Sequence, residues 1–213
     1  MRSSLEIALI GYGSANLMSV KKAFSQIELS TRIISDPIDV CDKKFEVLVL
    51  PGVGHFTNGT NSLFETGMGS AIQDAFSSGT KVIGICLGMQ LLFESSAEGE
   101  GAGLGFLRGR ITHVRDHENP KTSSRINTGW FDTKSEFSYS QLNHNGLYFF
   151  THSYGIDKRV AMGNTDLFEI SFIEDSSTVS HFISDRVIGV QFHPERSFKQ
   201  GRAFLKNTIL GWA

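Results

Sequence analysis

The sequence predicts an α/β protein: an open, mainly parallel, doubly wound sheet with antiparallel strands added in its second half. Three observations carry that expectation. Strand-like apolar runs alternate with helix-like stripes through the first half of the chain. A Gly84-Ile85-Cys86-Leu87-Gly88 run stands at a strand-to-helix corner. Beyond residue 110, strand-like runs follow one another with little helix between them. Strands alternating with helices imply a parallel sheet covered on both faces.

Residues 5–10 read as a buried strand. Leu17, Val20, Phe24 and Ile27 follow at spacings of three, four and three, which is one stripe of a helix. Residues 31–35 form the second strand, ended by Asp36-Pro37, and residues 47–50 the third, ended by Pro51-Gly52. Ile72, Ala75 and Phe76 mark a second helix closed by Gly79, and residues 82–85 are the fourth strand. Residues 89–95 read as the start of the helix after it. Residues 110–114, 147–150, 178–183 and 187–192 are strand-like, and a helix over 201–210 ends the chain. Residues 95–109 and 115–130 are rich in Gly, Ser and charge and are expected as surface loops. Nothing in the composition marks a linker, so residues 1–213 are expected to form a single domain.

The composition narrows the function. The 213 residues are 40% hydrophobic, and 20 basic against 22 acidic residues leave a net charge of −2. A chain of this length buries roughly 70% of its unfolded surface. The charge balance gives no reason to expect a nucleic-acid partner or an anionic membrane surface. Cys41 and Cys86 make no disulfide framework, which fits a reducing compartment. The first apolar stretch is too short for a secretory signal and no run reaches membrane-spanning length, so the expected location is cytoplasmic.

Ligand sites in open sheets lie outside the carboxyl ends of the strands. Cys86 sits at such an end. A lone Cys after an apolar run is usually a small buried hydrophobe. Flanking glycines and the strand-to-helix corner instead fit a nucleophile elbow with Cys in place of Ser. His193-Pro194-Glu195 ends the last strong strand, and residues two apart on an extended chain share a side. Pro194 stops the strand, and a carboxylate beside an imidazole can hold its tautomer. Cys86, His193 and Glu195 would then supply nucleophile, base and orienting group in one cleft. The Pro51-Gly52-Val53-Gly54 turn can offer a backbone N–H from the Gly52–Val53 peptide, with Leu87 N–H as the second donor of an oxyanion hole.

Pro51-Gly52-Val53-Gly54, the run from Gly84 to Glu94, Thr151-His152-Ser153-Tyr154 and the run from Val190 to Ser197 together resemble the class I (triad) glutamine amidotransferases. Within them the chain is most similar to the glutaminase subunits of imidazole glycerol phosphate synthase. The resemblance spans nearly the whole chain. It implies that Cys86 attacks the side-chain carboxamide of L-glutamine, that His193 moves the protons, and that Glu195 orients His193. It further implies that Gln90, Glu98, His152, Ser153 and Tyr154 grip the substrate, Ser153 and Tyr154 through their backbone. Ammonia would pass to a (β/α)8-barrel cyclase in a heterodimer serving histidine synthesis, with no cofactor and no metal. Trp130 matches a family Trp near that interface, though a core role fits it equally, and Asn16 belongs to the segment that faces the partner. The chain departs from the family at Gly11-Tyr12-Gly13-Ser14-Ala15-Asn16 and at Ile126-Asn127-Thr128-Gly129-Trp130-Phe131, which leaves open a paralogue feeding a related synthase, for example in amidino-sugar formation.

Two other classes compete. Gly11-x-Gly13 before a helix, with Asp36 ending the next strand, is part of a dinucleotide-binding fingerprint, but Asn16 stands where its third glycine belongs. His113 and His117 have the spacing of metal ligands on a helix, yet their segment reads as strand then loop.

Overall fold

Ile7–Ile10 (β1) is buried at all four positions because it lies between two parallel neighbours in a sheet with helices on both faces. The computed structural model describes residues 5–13, 15–42, 44–117, 127–138, 144–167 and 169–212. Along the chain β1 is followed by α1 (Leu17–Ser25), β2 (Thr31–Ile34), α2 (Pro37–Asp42), β3 (Val47–Gly52), α3 (Phe56–Glu65), α4 (Met68–Ser77), β4 (Lys81–Cys86) and α5 (Leu87–Gln90). Then come β5 (Phe93–Ser96), β6 (Leu107–His113), β7 (Asn127–Ser138), β8 (Gly146–His152), β9 (Tyr154–Gly155) and α6 (Lys158–Met162). The remaining elements are β10 (Glu169–Ile173), β11 (Val179–Ile183), β12 (Val187–Val190) and α7 (Phe198–Trp212).

Among the described residues the main sheet has nine strands in the order β2-β1-β3-β4-β12-β11-β10-β7-β8. The first five pair in parallel, and β11, β10, β7 and β8 extend the sheet antiparallel. This is the expected mixed α/β architecture. Alternating side chains put Ala8, Leu48, Leu50 and Val82 into one core, and Ile7, Leu9, Val49, Ile83 and Ile188 into the other. A smaller sheet, β5-β6-β9, stands beside the first core. No described helix is long and apolar enough to cross a membrane.

The helix expected over 89–95 is instead the four-residue α5, after which the chain turns into β5. Leu91, Leu92 and Phe93 are all fully buried. Periodicity cannot separate helix from strand in such a run. Here the neighbouring segment decides: Leu104 N–H donates to Leu91 O at 2.7 Å, and Leu107 N–H to Leu92 O at 3.1 Å. The loop expectations also need correction, since residues 127–130 open the twelve-residue β7 and residues 107–109 open β6. Residues 118–126 lie outside the described set. β10 escaped the sequence because Glu169 and Ser171 interrupt its apolar pattern while being fully buried.

Glu169 is the polar anchor of that second half. Its Oε1 accepts from His144 Nδ1 at 2.7 Å and from His181 Nε2 at 3.4 Å, and His144 Nε2 reaches Thr208 Oγ1 of α7 at 3.4 Å. Burial by itself would raise the carboxyl pKa, but the hydrogen bonds and charges of the two imidazoles hold it well below its ordinary 4.5. Burial lowers the pKa of His181 below 6.5. A carboxyl depressed in the folded state stabilises above pH 4.5 and loses that contribution as pH falls. The unfolded chain protonates His181 near pH 6.5 while the folded chain resists, so this contribution also fades on acidification. The urea midpoint should therefore drop from pH 7 to pH 4. Glu169→Gln should lower stability at pH 7 by about 3 kcal/mol and flatten the acid dependence. An unchanged midpoint in that variant would contradict the assignment.

Candidate active site

β3, β4 and β12 run parallel and end together, with Gly52 opposite Cys86 and Val190 opposite Ile85. Their carboxyl ends form one rim, and the segments leaving them carry Val53, Cys86 and His193. Cys86 adopts φ 54°, ψ −110°, a sparsely populated conformation costing about 1–3 kcal/mol. The corner requires its flanking glycines. A methyl on Gly84 would lie 2.6 Å from the Gly88 carbonyl oxygen and from Met89 N, and one on Gly88 would overlap the Leu50 carbonyl. The elbow seen in the sequence is therefore a packing fact: α5 folds back directly over β3 and β4.

His193 is held by its backbone before its ring does anything. Its N–H donates to Phe149 O at 2.9 Å and its carbonyl accepts from Ser197 Oγ at 2.7 Å, while Phe149 N–H donates to Ser197 Oγ at 3.0 Å. Nδ1 donates to Glu195 Oε1 at 2.9 Å. The two side chains do meet, but not as neighbours on a strand. β12 ends at Val190, and a turn over 194–196, closed by Arg196 N–H on His193 O at 3.0 Å, swings the carboxylate under the ring. Burial would lower the imidazole pKa, but the Cys86 sulfur and Glu195 outweigh it and push it up to about 10. With Nδ1 taken by Glu195, Nε2 is the nitrogen left for the sulfur. It is buried and has no hydrogen-bond partner among the described residues.

Cys86 and His193 share a cavity of about 220 Å3 with Val53, Gly54, Leu87, Gln90, Glu98 and residues 151–154. That is below the roughly 300–1,000 Å3 of drug-sized sites, as suits an amino acid. Of the sequence-predicted residues, Gly52 and Glu195 are outside this lining, Glu195 meeting the site through His193, and Asn16 and Trp130 lie apart from it. Gln90 is buried rather than solvated, and its Nε2 donates to Tyr154 O at 2.8 Å and to Gln191 Oε1 at 3.2 Å. Glu98 Oε2 accepts from Phe56 N–H at 2.8 Å, which ties its loop to the start of α3. His152 Nδ1 donates to Tyr154 O at 2.9 Å, and Asn127 Nδ2 donates to Nε2 at 3.4 Å. A carbonyl can only accept, so the proton sits on Nδ1; burial lowers the ring pKa to about 4 and keeps it neutral. Two expected backbone contacts are already engaged, because Tyr154 O takes Gln90 and His152, and Ser153 O takes Val114 N–H at 2.9 Å.

Sequence reasoning assigned no role to Gln191, whose Nε2 donates to Cys86 Sγ at 3.7 Å. Its place two residues before His193 was the available signal. Asn16 caps α1, accepting from Ser19 N–H at 3.2 Å. Trp130 is 41% exposed on β7 and stacks on Phe198 with ring centroids 5.4 Å apart, so it is not core. Ser14 and Ile126 of the divergent segments lie outside the described residues. The competing readings lose their residues to other work. Asp36 Oδ1 accepts from Ile38 N–H at 2.9 Å at the start of α2. His117 binds Thr178 and Thr112 through its two nitrogens, whereas His113 Nδ1 accepts from Arg115 N–H. A larger cavity of about 890 Å3 at the opposite ends of β3 and β4 holds the exposed Cys41 and no histidine.

Comparison with known proteins agrees with this geometry. The family profile described as glutamine amidotransferase class-I matches residues 8–212. A relative from Sulfurimonas denitrificans, named imidazole glycerol phosphate synthase subunit HisH, is 37% identical over 207 residues, covering 94% of this chain and 96% of its own. A protein of the same name from Aquifex aeolicus is 35% identical over 216 residues, covering 95% of each. Among solved structures, a glutamine amidotransferase superposes with a TM-score of 0.74 at 15% identity, covering 97% of this chain and 99% of its own. PurLQS from Thermotoga maritima superposes with a TM-score of 0.67 at 17% identity, covering 99% of each.

Proposed function

The chain belongs to the class I glutamine amidotransferases, and from that premise we propose that it is the glutaminase subunit of an imidazole glycerol phosphate synthase. It hydrolyses L-glutamine to glutamate and ammonia with Cys86 as nucleophile. The observation that carries this reading is the strained Cys86 sharing its cavity with a histidine whose far nitrogen is already held by a buried carboxylate.

The chemistry follows from that arrangement. The Cys86 thiolate adds to the carboxamide carbon, and the carbonyl π electrons move onto oxygen. The Val53 and Leu87 N–H groups receive that oxyanion. His193, protonated on both nitrogens, gives its Nε2 proton to the amide nitrogen as the C–N bond breaks, and ammonia leaves. Water then loses a proton to His193 and attacks the thioester, releasing glutamate and restoring the thiolate. Glu195 holds the ring tautomer throughout. Gln191 steadies the sulfur, and Gln90 and His152 fix the Tyr154 carbonyl, so the substrate-binding edge is built on settled hydrogen bonds. Glu98, which lines the same cavity, takes the substrate's ammonium group in this reading.

Ammonia is mostly protonated at neutral pH and then unreactive, so it must pass directly to a synthase partner. We infer a heterodimer with the (β/α)8-barrel cyclase, contacted through Asn16 and the exposed Trp130–Phe198 stack. The departures of residues 11–16 and 126–131 from the family pattern favour a second reading, a paralogue serving a related synthase. The test is ammonia release from glutamine by the chain alone and with the cyclase loaded with its nucleotide substrate. Slow release alone and strong stimulation by the loaded cyclase are expected. Turnover at Cys86 with no stimulation and no co-purification would reject this partner while leaving the glutaminase in place.

A further inference from the structure

Tyr12 carries a buried phenol that the mechanism above leaves idle. It stands two residues beyond β1, which flanks β3 on the side away from β4. The residue is 7% exposed, and its hydroxyl is buried with no hydrogen-bond partner among the described residues. An unpaired buried hydroxyl is a standing penalty, so its presence calls for a use. Its position suggests one. A methyl built on Gly52 would lie 2.5 Å from the Tyr12 hydroxyl, 3.0 Å from Leu87 Cβ and 3.1 Å from Gly88 N. The hydroxyl therefore rests against the Cα of Gly52, between the proposed oxyanion turn and the elbow. Burial, reinforced by negative charge at Cys86, raises its pKa, so it remains a neutral donor.

The Val53 N–H and the Gly52 C=O belong to one planar trans peptide and point in opposite directions. When that N–H faces the cavity, the carbonyl faces away from it, and Gly52, which is outside the cavity lining, has the phenol against its Cα. We propose that Tyr12 is a positioning residue: its hydroxyl donates to the Gly52 carbonyl as the tetrahedral intermediate forms, and so holds the Val53 N–H on the oxyanion. A hydrogen bond to the carbonyl also polarises the peptide and strengthens its N–H as a donor. Because the bond is absent in the free enzyme, its benefit appears in the transition state and so in kcat. This inference rests on the glutaminase reading of Cys86.

The test compares Tyr12→Phe with the unaltered full chain, with L-glutamine as substrate and the γ-aldehyde analogue of glutamine as inhibitor. The Cys86 sulfur adds to the aldehyde carbon, the carbonyl π pair becomes an oxyanion, and the thiol proton rests on His193, so the adduct needs the same hole. The variant should lose about tenfold in kcat and in aldehyde affinity, about 1.4 kcal/mol. Its KM should stay within about twofold and its melting temperature should not fall, since an unpaired hydroxyl is removed. Unchanged kcat and aldehyde affinity would overturn the inference. So would equal losses in aldehyde affinity and KM with a fallen melting temperature, the mark of a packing defect. If the unaltered enzyme and Cys86→Ala release ammonia equally, the glutaminase reading fails first. If the unaltered enzyme is active and Tyr12→Phe matches it, only the role of Tyr12 fails.

Discussion

Replacing Cys86 with alanine is expected to reduce ammonia release from glutamine by on the order of 10⁴-fold or more, the loss found when a covalent nucleophile is removed. Alanine keeps the Cβ that the elbow already accommodates, so the fold should survive, and far-UV dichroism should be unchanged. A second measurement sharpens the assignment. Cys41 is exposed and Cys86 is buried, so an indiscriminate alkylating agent has easier access to Cys41. A glutamine-shaped electrophile should reverse that order and add one mass equivalent at Cys86, because only the smaller cavity pairs a sulfur with His193. Labelling at Cys41, or activity retained in Cys86→Ala, would sink the nucleophile.

The elements that position the site were legible because they are local. β1, β3 and β4 announce themselves as short apolar runs closed by Gly or Pro, and the two glycines beside Cys86 report the corner directly. Cys86, His193 and Glu195 could be read as one group because two distant parts of the chain bring them to the carboxyl ends of neighbouring parallel strands. What could not be read depends on partners distant in sequence. Leu91 to Phe93 leave the helix because residues 104–107 claim their carbonyls. Glu169 belongs inside a strand only because His144 and His181 arrive from elsewhere to meet it. Tyr12 and Gln191 carry no motif of their own, and their meaning comes from what stands against them: the Cα of Gly52 and the sulfur of Cys86. Even the His193–Glu195 pair, expected from strand alternation, is made by a turn.

That pair underlies the other large effect. His193→Ala is expected to lower glutamine turnover on the order of 10⁴-fold, since His152, the other histidine in the cavity, is held neutral with both ring nitrogens engaged. The variant should also change how readily Cys86 is alkylated. The imidazole pKa, pushed up to about 10 by the sulfur and Glu195 against the effect of burial, lies above its ordinary 6.5. A raised pKa of this kind contributes stability that is fully present below pH 6.5 and is lost as pH rises through about 10. Across that window the imidazolium stays beside the sulfur. In a Cys41→Ser background, alkylation of Cys86 at neutral pH should therefore be fast. Without the ring no cation stands beside the sulfur, so labelling of His193→Ala at the same pH should be slow. Equal labelling rates with and without the ring would show that the sulfur owes its reactivity to the helix end and the strained elbow rather than to the histidine.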